Sequence, residues 1–120
     1  MQYVGVDIIE ISRIEDALLR FGHEFLERIF TVQEITLYKD KLPSLAARFA
    51  AKEAVIKALD APNLSPRDIE VLSAPNGKPK LSLSGAALRK CDELGINALG
   101  ISLSHSREYA VAFVSGQSTN

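Results

Sequence analysis

With 120 residues and 13.1 kDa, the chain has room for one modest core and not for two, so residues 1–120 are read as a single domain. A formal charge of −1, the absence of tryptophan and an aromatic content of 7% leave neither an electrostatic nor a stacking case for nucleic-acid binding. No apolar run approaches the roughly 20 residues that cross a membrane, the chain opens on a strand-like segment rather than a leader, and the single cysteine, Cys91, excludes an internal disulfide, so a cytoplasmic protein is expected.

Tyr3 to Glu10 is apolar and β-branched almost without interruption, which predicts a strand covered on both faces. The period of two puts Asp7 on the face of Tyr3, Gly5, Ile9 and Ile11. Ser12 and Glu15 form a capping-box pattern that opens a helix ending at Gly22, and His23 to Phe30 reads as a short amphipathic helix. Thr31 and Glu34 repeat the capping-box pattern for a helix that stops before Pro43. Ser44 to Leu59 is apolar in every direction of the helical wheel, the mark of a buried central helix. After the loop 60–67 come a strand from Asp68 to Ala74, a turn at Asn76-Gly77, and a return strand from Lys78 to Ser84. Pro75 and Pro79 lengthen that turn beyond two residues. Gly85 to Leu94 is helical with Gly95 as its stop. Leu99 to His105 and Glu108 to Val114 are two further strands joined at Ser106-Arg107, before a polar tail, 115–120, expected to fray. Helices and strands are mixed without strict alternation, which predicts an α+β fold with mainly antiparallel pairing.

Charged residues inside the apolar segments carry the chemistry. Asp7 lies in the first strand, and Glu53 and Lys57 lie in the central helix with Arg48 and Lys52. Glu53 and Lys57 are spaced i, i+4 with the acid first, and a surface ion pair would explain them alone. It would not explain four charges in an otherwise apolar helix. A carboxylate in apolar surroundings needs a cation or hydrogen bonds to offset a desolvation penalty of roughly several kcal/mol. Two such carboxylates suit Mg²⁺, which keeps part of its water shell and completes it with phosphate oxygens, while neighbouring lysine and arginine suit the remaining phosphate charge. Ser104 and Ser106 flank His105 on one strand; because adjacent residues point to opposite faces, a Ser-His hydrolase is not expected, and a polar floor for a ligand is the alternative to a structural histidine.

Four segments, GVDIIEISRI, RFAAKEAVIKAL, NGKP and ISLSHSREYAVAFV, resemble the holo-acyl-carrier-protein synthase family of 4′-phosphopantetheinyl transferases. The similarity runs over essentially the whole chain in the family's order; the strand-borne Asp and the K-E-A-x-x-K helix are its specific parts. The resemblance implies the 4′-phosphopantetheinyl transferase fold and a Mg²⁺-dependent transfer of the phosphopantetheine arm from coenzyme A to a serine of an apo acyl carrier protein. It implies Asp7 and Glu53 as metal ligands and Lys57 at the phosphates. Arg48, Lys52, Asn76, Gly77, Pro79, Ser104 and His105 would be coenzyme A contacts. Arg13, Arg20, Phe21, Phe25 and Arg28 would face the acidic carrier. It also implies a homotrimer with the site between subunits, and a serine proton leaving to a metal-bound water or to Glu53. Many members carry a glycine-rich turn after the helix motif; here the residues are Leu59-Asp60-Ala61-Pro62-Asn63, so no phosphate-cradling glycine amides are expected.

Two other classes use similar residues. A Mg²⁺-dependent nuclease or phosphohydrolase also combines Asp, Glu and Lys, but its close Glu-x-Lys strand spacing is absent, since Lys57 follows Glu53 by four on a helix. A non-enzymatic binding domain would leave Asp7 and Glu53 as structural ion pairs.

Overall fold

A computed structural model describes residues 1–119. In chain order these form β1 (Gln2–Glu10), α1 (Ile11–Phe21), α2 (His23–Ile29), α3 (Val32–Tyr38), α4 (Leu42–Leu59), a single 3₁₀ turn (Pro66–Asp68), β2 (Ile69–Ser73), β3 (Pro79–Leu83), α5 (Gly85–Leu94), β4 (Ile96–His105) and β5 (Tyr109–Ser118). Both sheets are antiparallel: β1-β5-β4 in one and the β2-β3 hairpin in the other. The α+β expectation holds.

The central helix organises both cores. Toward its C-terminal half, Ala50, Ala51, Ala54, Val55, Ala58 and Leu59 pack with Ile69, Val71, Ala112 and Val114 from both sheets. Toward its N-terminal half, Leu45, Ala46 and Ala47 meet Ile11, Ile14, Leu26, Phe30 and Tyr38 from the three preceding helices. The helix begins at Leu42, two residues before the predicted start, because Pro43 sits in the first turn, where a missing N–H costs nothing. It ends at Asp60, whose φ of 50° and ψ of 48° put a side chain in the left-handed conformation that glycine normally supplies.

Local signals succeeded where both hydrogen-bonding partners were near in sequence. Thr31 Oγ1 accepts from the Glu34 amide at 3.2 Å, and a Glu34 carboxylate oxygen accepts from the Thr31 amide at 2.9 Å, completing the second capping box. The turn 74–78 closes with Ala74 and Lys78 paired and Gly77 at φ 86°. At α1 the signal misleads. Glu10 is the cap residue and makes no side-chain cap bond, so the Ser12–Glu15 box does not form; the Ile11 amide donates instead to the Glu108 carbonyl at 2.8 Å.

Two expectations about β-structure are corrected. β1 is covered on one face only: Tyr3, Gly5, Asp7 and Ile9 face α4, while Val4, Val6 and Ile8 are exposed. The uninterrupted apolar run hid an ordinary in–out alternation whose outer residues are also apolar. β5 extends to Ser118 rather than stopping at Val114, since Gly116 fits beneath Leu99 and Ile96 and the Ser118 amide donates to the Met1 carbonyl at 2.9 Å. Of the segment expected to fray, 115–118 is therefore strand, and Asn120 lies outside the described residues.

Candidate active site between the first strand and the central helix

Where α4 crosses β1, three of the predicted residues come together. Lys57 Nζ donates to Asp7 Oδ1 at 2.9 Å and to the Val6 carbonyl at 3.1 Å. The Asp7 side chain is 17% exposed and that of Lys57 55%, so the acid is tucked against the sheet and the lysine reaches it from outside. Glu53, one turn earlier on the helix, is half-buried. Burial first, and then the negative charge of Asp7, push its carboxyl above the usual value, with Lys57 pulling the other way. Asp7 and Glu53 line one cleft of about 350 Å³ with Arg13, and Ile9, Ile14, Phe25 and Phe49 form its apolar wall. Two mutually repelling carboxylates share a partly desolvated cleft in which one lysine is engaged with only one of them. That donor set fits a hard divalent cation.

Arg48 and Lys52, expected as further phosphate or carrier contacts, face away from this cleft. Consecutive helix residues differ by about 100°, so a pair one residue out of step with Glu53 and Lys57 faces another element. Here that element is β2. Arg48 is 5% exposed, donates from Nε to the Val71 carbonyl at 2.9 Å and from Nη2 to Ser73 Oγ at 3.0 Å, and stacks 3.7 Å over the Tyr38 ring. Lys52 is 1% exposed; its ammonium meets a Glu34 carboxylate oxygen at 2.7 Å, the Pro66 carbonyl at 2.9 Å and the Ile69 carbonyl. Burial lowers the Lys52 ammonium below its usual pKa, and Glu34 opposes that shift. These cations are spent on fastening the hairpin to the helices.

Glu34 itself escaped sequence reasoning. It is fully buried, and besides closing the capping box it accepts from the Val71 amide at 2.8 Å. The capping-box motif gave it a complete local explanation, and nothing nearby in sequence marked its second partner.

The other residues predicted to touch coenzyme A lie outside the cleft. Asn76 Oδ1 accepts from the Lys78 amide at 3.1 Å, Gly77 turns the hairpin, and Pro79 pairs with Ser73. His105 is exposed at the end of β4 opposite Ala110, which in turn pairs with Ile9, so β5 separates it from β1 by roughly two strand spacings, about 10 Å. Ser104 sits opposite Val111 on the other face of the sheet, as the alternation required. Among the carrier residues, Arg13 and Phe25 line the cleft, and Arg20 lies 5.5 Å from the ring of exposed Phe21. Arg28 pairs with Glu24 at 3.6 Å in full contact with solvent. Leu19, 79% exposed on the same helix as Arg13 and Arg20, was not anticipated.

The fold has close counterparts. Residues 3–114 match the family model of the 4′-phosphopantetheinyl transferase superfamily. The holo-[acyl-carrier-protein] synthase of Dehalococcoides mccartyi is 58% identical over 98% of this chain and 99% of its own length, and that of Herpetosiphon aurantiacus 46% identical over 97% and 98%. Among solved structures, Helicobacter pylori holo-[acyl-carrier-protein] synthase in complex with coenzyme A superposes with a TM-score of 0.85 at 40% identity, covering 95% of this chain and 99% of that one. The Bacillus anthracis enzyme in complex with coenzyme A (3′,5′-ADP) gives 0.79 at 37%, covering 98% and 96%. A strand carboxylate facing a K-E-A-x-x-K helix, in a chain matched from its third residue nearly to its end, belongs to the 4′-phosphopantetheinyl transferase superfamily.

Proposed function

We propose that this chain, acting as one domain over residues 1–120, transfers the 4′-phosphopantetheine arm of coenzyme A to a serine hydroxyl of an apo acyl carrier protein. The serine oxygen forms a new bond to the phosphorus that carries the pantetheine arm. The bond from that phosphorus to the bridging oxygen breaks, adenosine 3′,5′-bisphosphate departs, and the serine proton is lost to a base. The observation that carries the reading is the Asp7–Glu53–Lys57 cluster in its cleft, in a chain 58% identical to a holo-[acyl-carrier-protein] synthase. Asp7 and Glu53 are the residues that would hold Mg²⁺. When bound, that ion offsets charge on the pyrophosphate.

The protein's own groups do the rest. Lys57 neutralises Asp7 across their 2.9 Å contact, and with a cation held by Asp7 and Glu53 its ammonium would be available to phosphate oxygens. The apolar wall of Ile14, Phe25 and Phe49 keeps water from one side of the reacting groups. Arg13 and Arg20, with exposed Leu19 and Phe21 between and beside them, offer an acidic carrier both charge and apolar contact. Incubation with coenzyme A, Mg²⁺ and apo carrier should add the mass of phosphopantetheine to the carrier. Hydrolysis of coenzyme A with the carrier unchanged would select the phosphohydrolase reading instead.

Assembly belongs to the same reading. Val4, Val6, Ile8 and Phe113 are 54%, 53%, 64% and 47% exposed on the open face of the three-stranded sheet, a contiguous apolar surface of the kind that marks a protein interface. A homotrimer supplies the cover, and it gives Ser104, His105 and the 76–79 turn a route to coenzyme A through a neighbouring subunit. A cytoplasmic location is in keeping with the unbridged, buried Cys91, and no helix among the described residues is long and apolar enough to cross a membrane. Sedimentation at micromolar concentration should give three times 13.1 kDa. A stable, fully active monomer would refute both the trimer and the shared site.

A further inference from the structure

Four glycines of this chain have positive φ, namely Gly22, Gly77, Gly85 and Gly95, and each begins, ends or turns an element. Gly5 is not among them. It sits in the middle of β1, two residues before Asp7 on the same face, and what it supplies is space. A Cβ built at Gly5 would lie 2.0 Å from the Ala54 carbonyl oxygen, 2.9 Å from the Ala58 amide nitrogen and 3.0 Å from the Ala54 carbonyl carbon. All three are backbone atoms, so no side-chain rotation relieves the clash. The two residues it touches directly follow Glu53 and Lys57, so the helical turn resting on Gly5 is the turn that carries both charged groups to Asp7.

We infer that Gly5 is a positioning residue that sets the span between Asp7 and Glu53 by letting the α4 backbone lie directly on β1. This rests on the proposed metal role of the two carboxylates. Any side chain at position 5 drives α4 outward until its backbone clears the new carbon, and every such displacement widens the carboxylate pair. Mg²⁺ tolerates little of that, since it demands near-octahedral geometry at about 2.0–2.1 Å. Substitutions that disturb the groups orienting metal ligands typically cost roughly 10- to 100-fold in affinity.

The test compares Gly5→Ala with Gly116→Ala. The second also crowds the same sheet, but its tightest contact is the end of a flexible side chain, Leu99 Cδ2 at 2.6 Å, with Ile96 Cγ2 at 3.1 Å and the Ala98 carbonyl oxygen at 3.3 Å behind it. Binding of Mn²⁺ as a spin probe is followed by electron paramagnetic resonance, with circular dichroism and thermal midpoints recorded in parallel. Gly5→Ala should weaken Mn²⁺ binding roughly 10- to 100-fold, and kcat should fall more than the KM for carrier changes. Gly116→Ala should lower the thermal midpoint while holding Mn²⁺ affinity within about twofold, below the range expected of an orienting contact. A folded Gly5→Ala variant with wild-type Mn²⁺ affinity, or an equal loss in Gly116→Ala, overturns the inference. Should Gly5→Ala fail to fold, Asp7→Glu in the native background decides. A span held by backbone contact cannot absorb the extra methylene, so Mn²⁺ affinity should drop at an unchanged midpoint, and retained affinity overturns the inference. If the wild type binds no Mn²⁺ at all, the metal reading falls and the span argument falls with it, whatever the variants do.

Discussion

Replacing Glu53 by Gln should reduce turnover by on the order of 10³-fold while leaving the fold as stable as before or more so. The first half follows from the several kcal/mol that a metal ion contributes to a charged transition state, with each 1.36 kcal/mol worth a factor of ten. The second half follows from the electrostatics of the carboxylate pair. Burial and the charge of Asp7 raise the Glu53 carboxyl above its ordinary 4.5. A group whose folded pKa is raised contributes stability that is present below the unfolded value and is lost as pH rises through the folded one. At neutral pH the ionised Glu53 therefore opposes folding, and Gln removes the opposition. Thermal midpoints of wild type and variant should converge as pH falls through the carboxylate range and separate above it, with the variant higher and Mg²⁺ stabilising only the wild type. Asp7→Asn should share the kinetic defect. Near-normal turnover in either variant, with an unchanged Mg²⁺ requirement, would remove both carboxylates from the metal site.

Glu34→Ala should be the most destabilising single change in this part of the molecule, and for a reason unconnected with chemistry. It strands the fully buried Lys52 ammonium and leaves the Val71 amide, also buried, without its acceptor. Removing one partner of a buried pair costs about 3–5 kcal/mol, and for a domain of this size the midpoint should fall by roughly 10–20 °C. Protein concentration must be held fixed, since an assembling chain has a concentration-dependent midpoint. Lys52→Met should also destabilise, yet KM for coenzyme A should scarcely move, because the ammonium is occupied by Glu34, Pro66 and Ile69. A Lys52→Met variant of normal stability whose KM for coenzyme A rises tenfold would return Lys52 to the phosphate site.

Why some of this was legible in sequence and some not can be traced residue by residue. Asp7, Glu53 and Lys57 could be grouped because a polar residue within an apolar run stands out, and the period of each element fixes its direction. The Thr31–Glu34 cap and the 74–78 turn were readable because their partners lie three or four residues apart. The partners of Arg48 and Lys52 were illegible for the complementary reason. Charge in an apolar helix announces that a partner exists without saying which, and their partners, Val71, Ser73 and Glu34, are 18 or more positions away. The Ser12 box failed through competition: the Glu108 carbonyl, close only in the folded chain, took the Ile11 amide and started the helix two residues early. The end of β5 was missed because Ser115, Gly116, Gln117 and Ser118 read as polar, whereas ladder hydrogen bonds ask nothing of the side chain.

The alternation along β1 has an evolutionary consequence. Odd positions, Tyr3, Gly5, Asp7 and Ile9, answer to the helix and the cleft; the side chains at even positions, Val4, Val6 and Ile8, are exposed and answer mainly to whatever covers the outer face. Substitutions on the two faces are therefore free to drift independently, and relatives can diverge in how they associate while keeping the same inward set. Insertion or deletion of one residue between Tyr3 and Asp7 is different in kind. It exchanges the faces at a stroke, turning the acid outward and a valine toward the α4 backbone. In this strand length should be held under stricter selection than composition, and natural variants should differ there by replacement rather than by gaps.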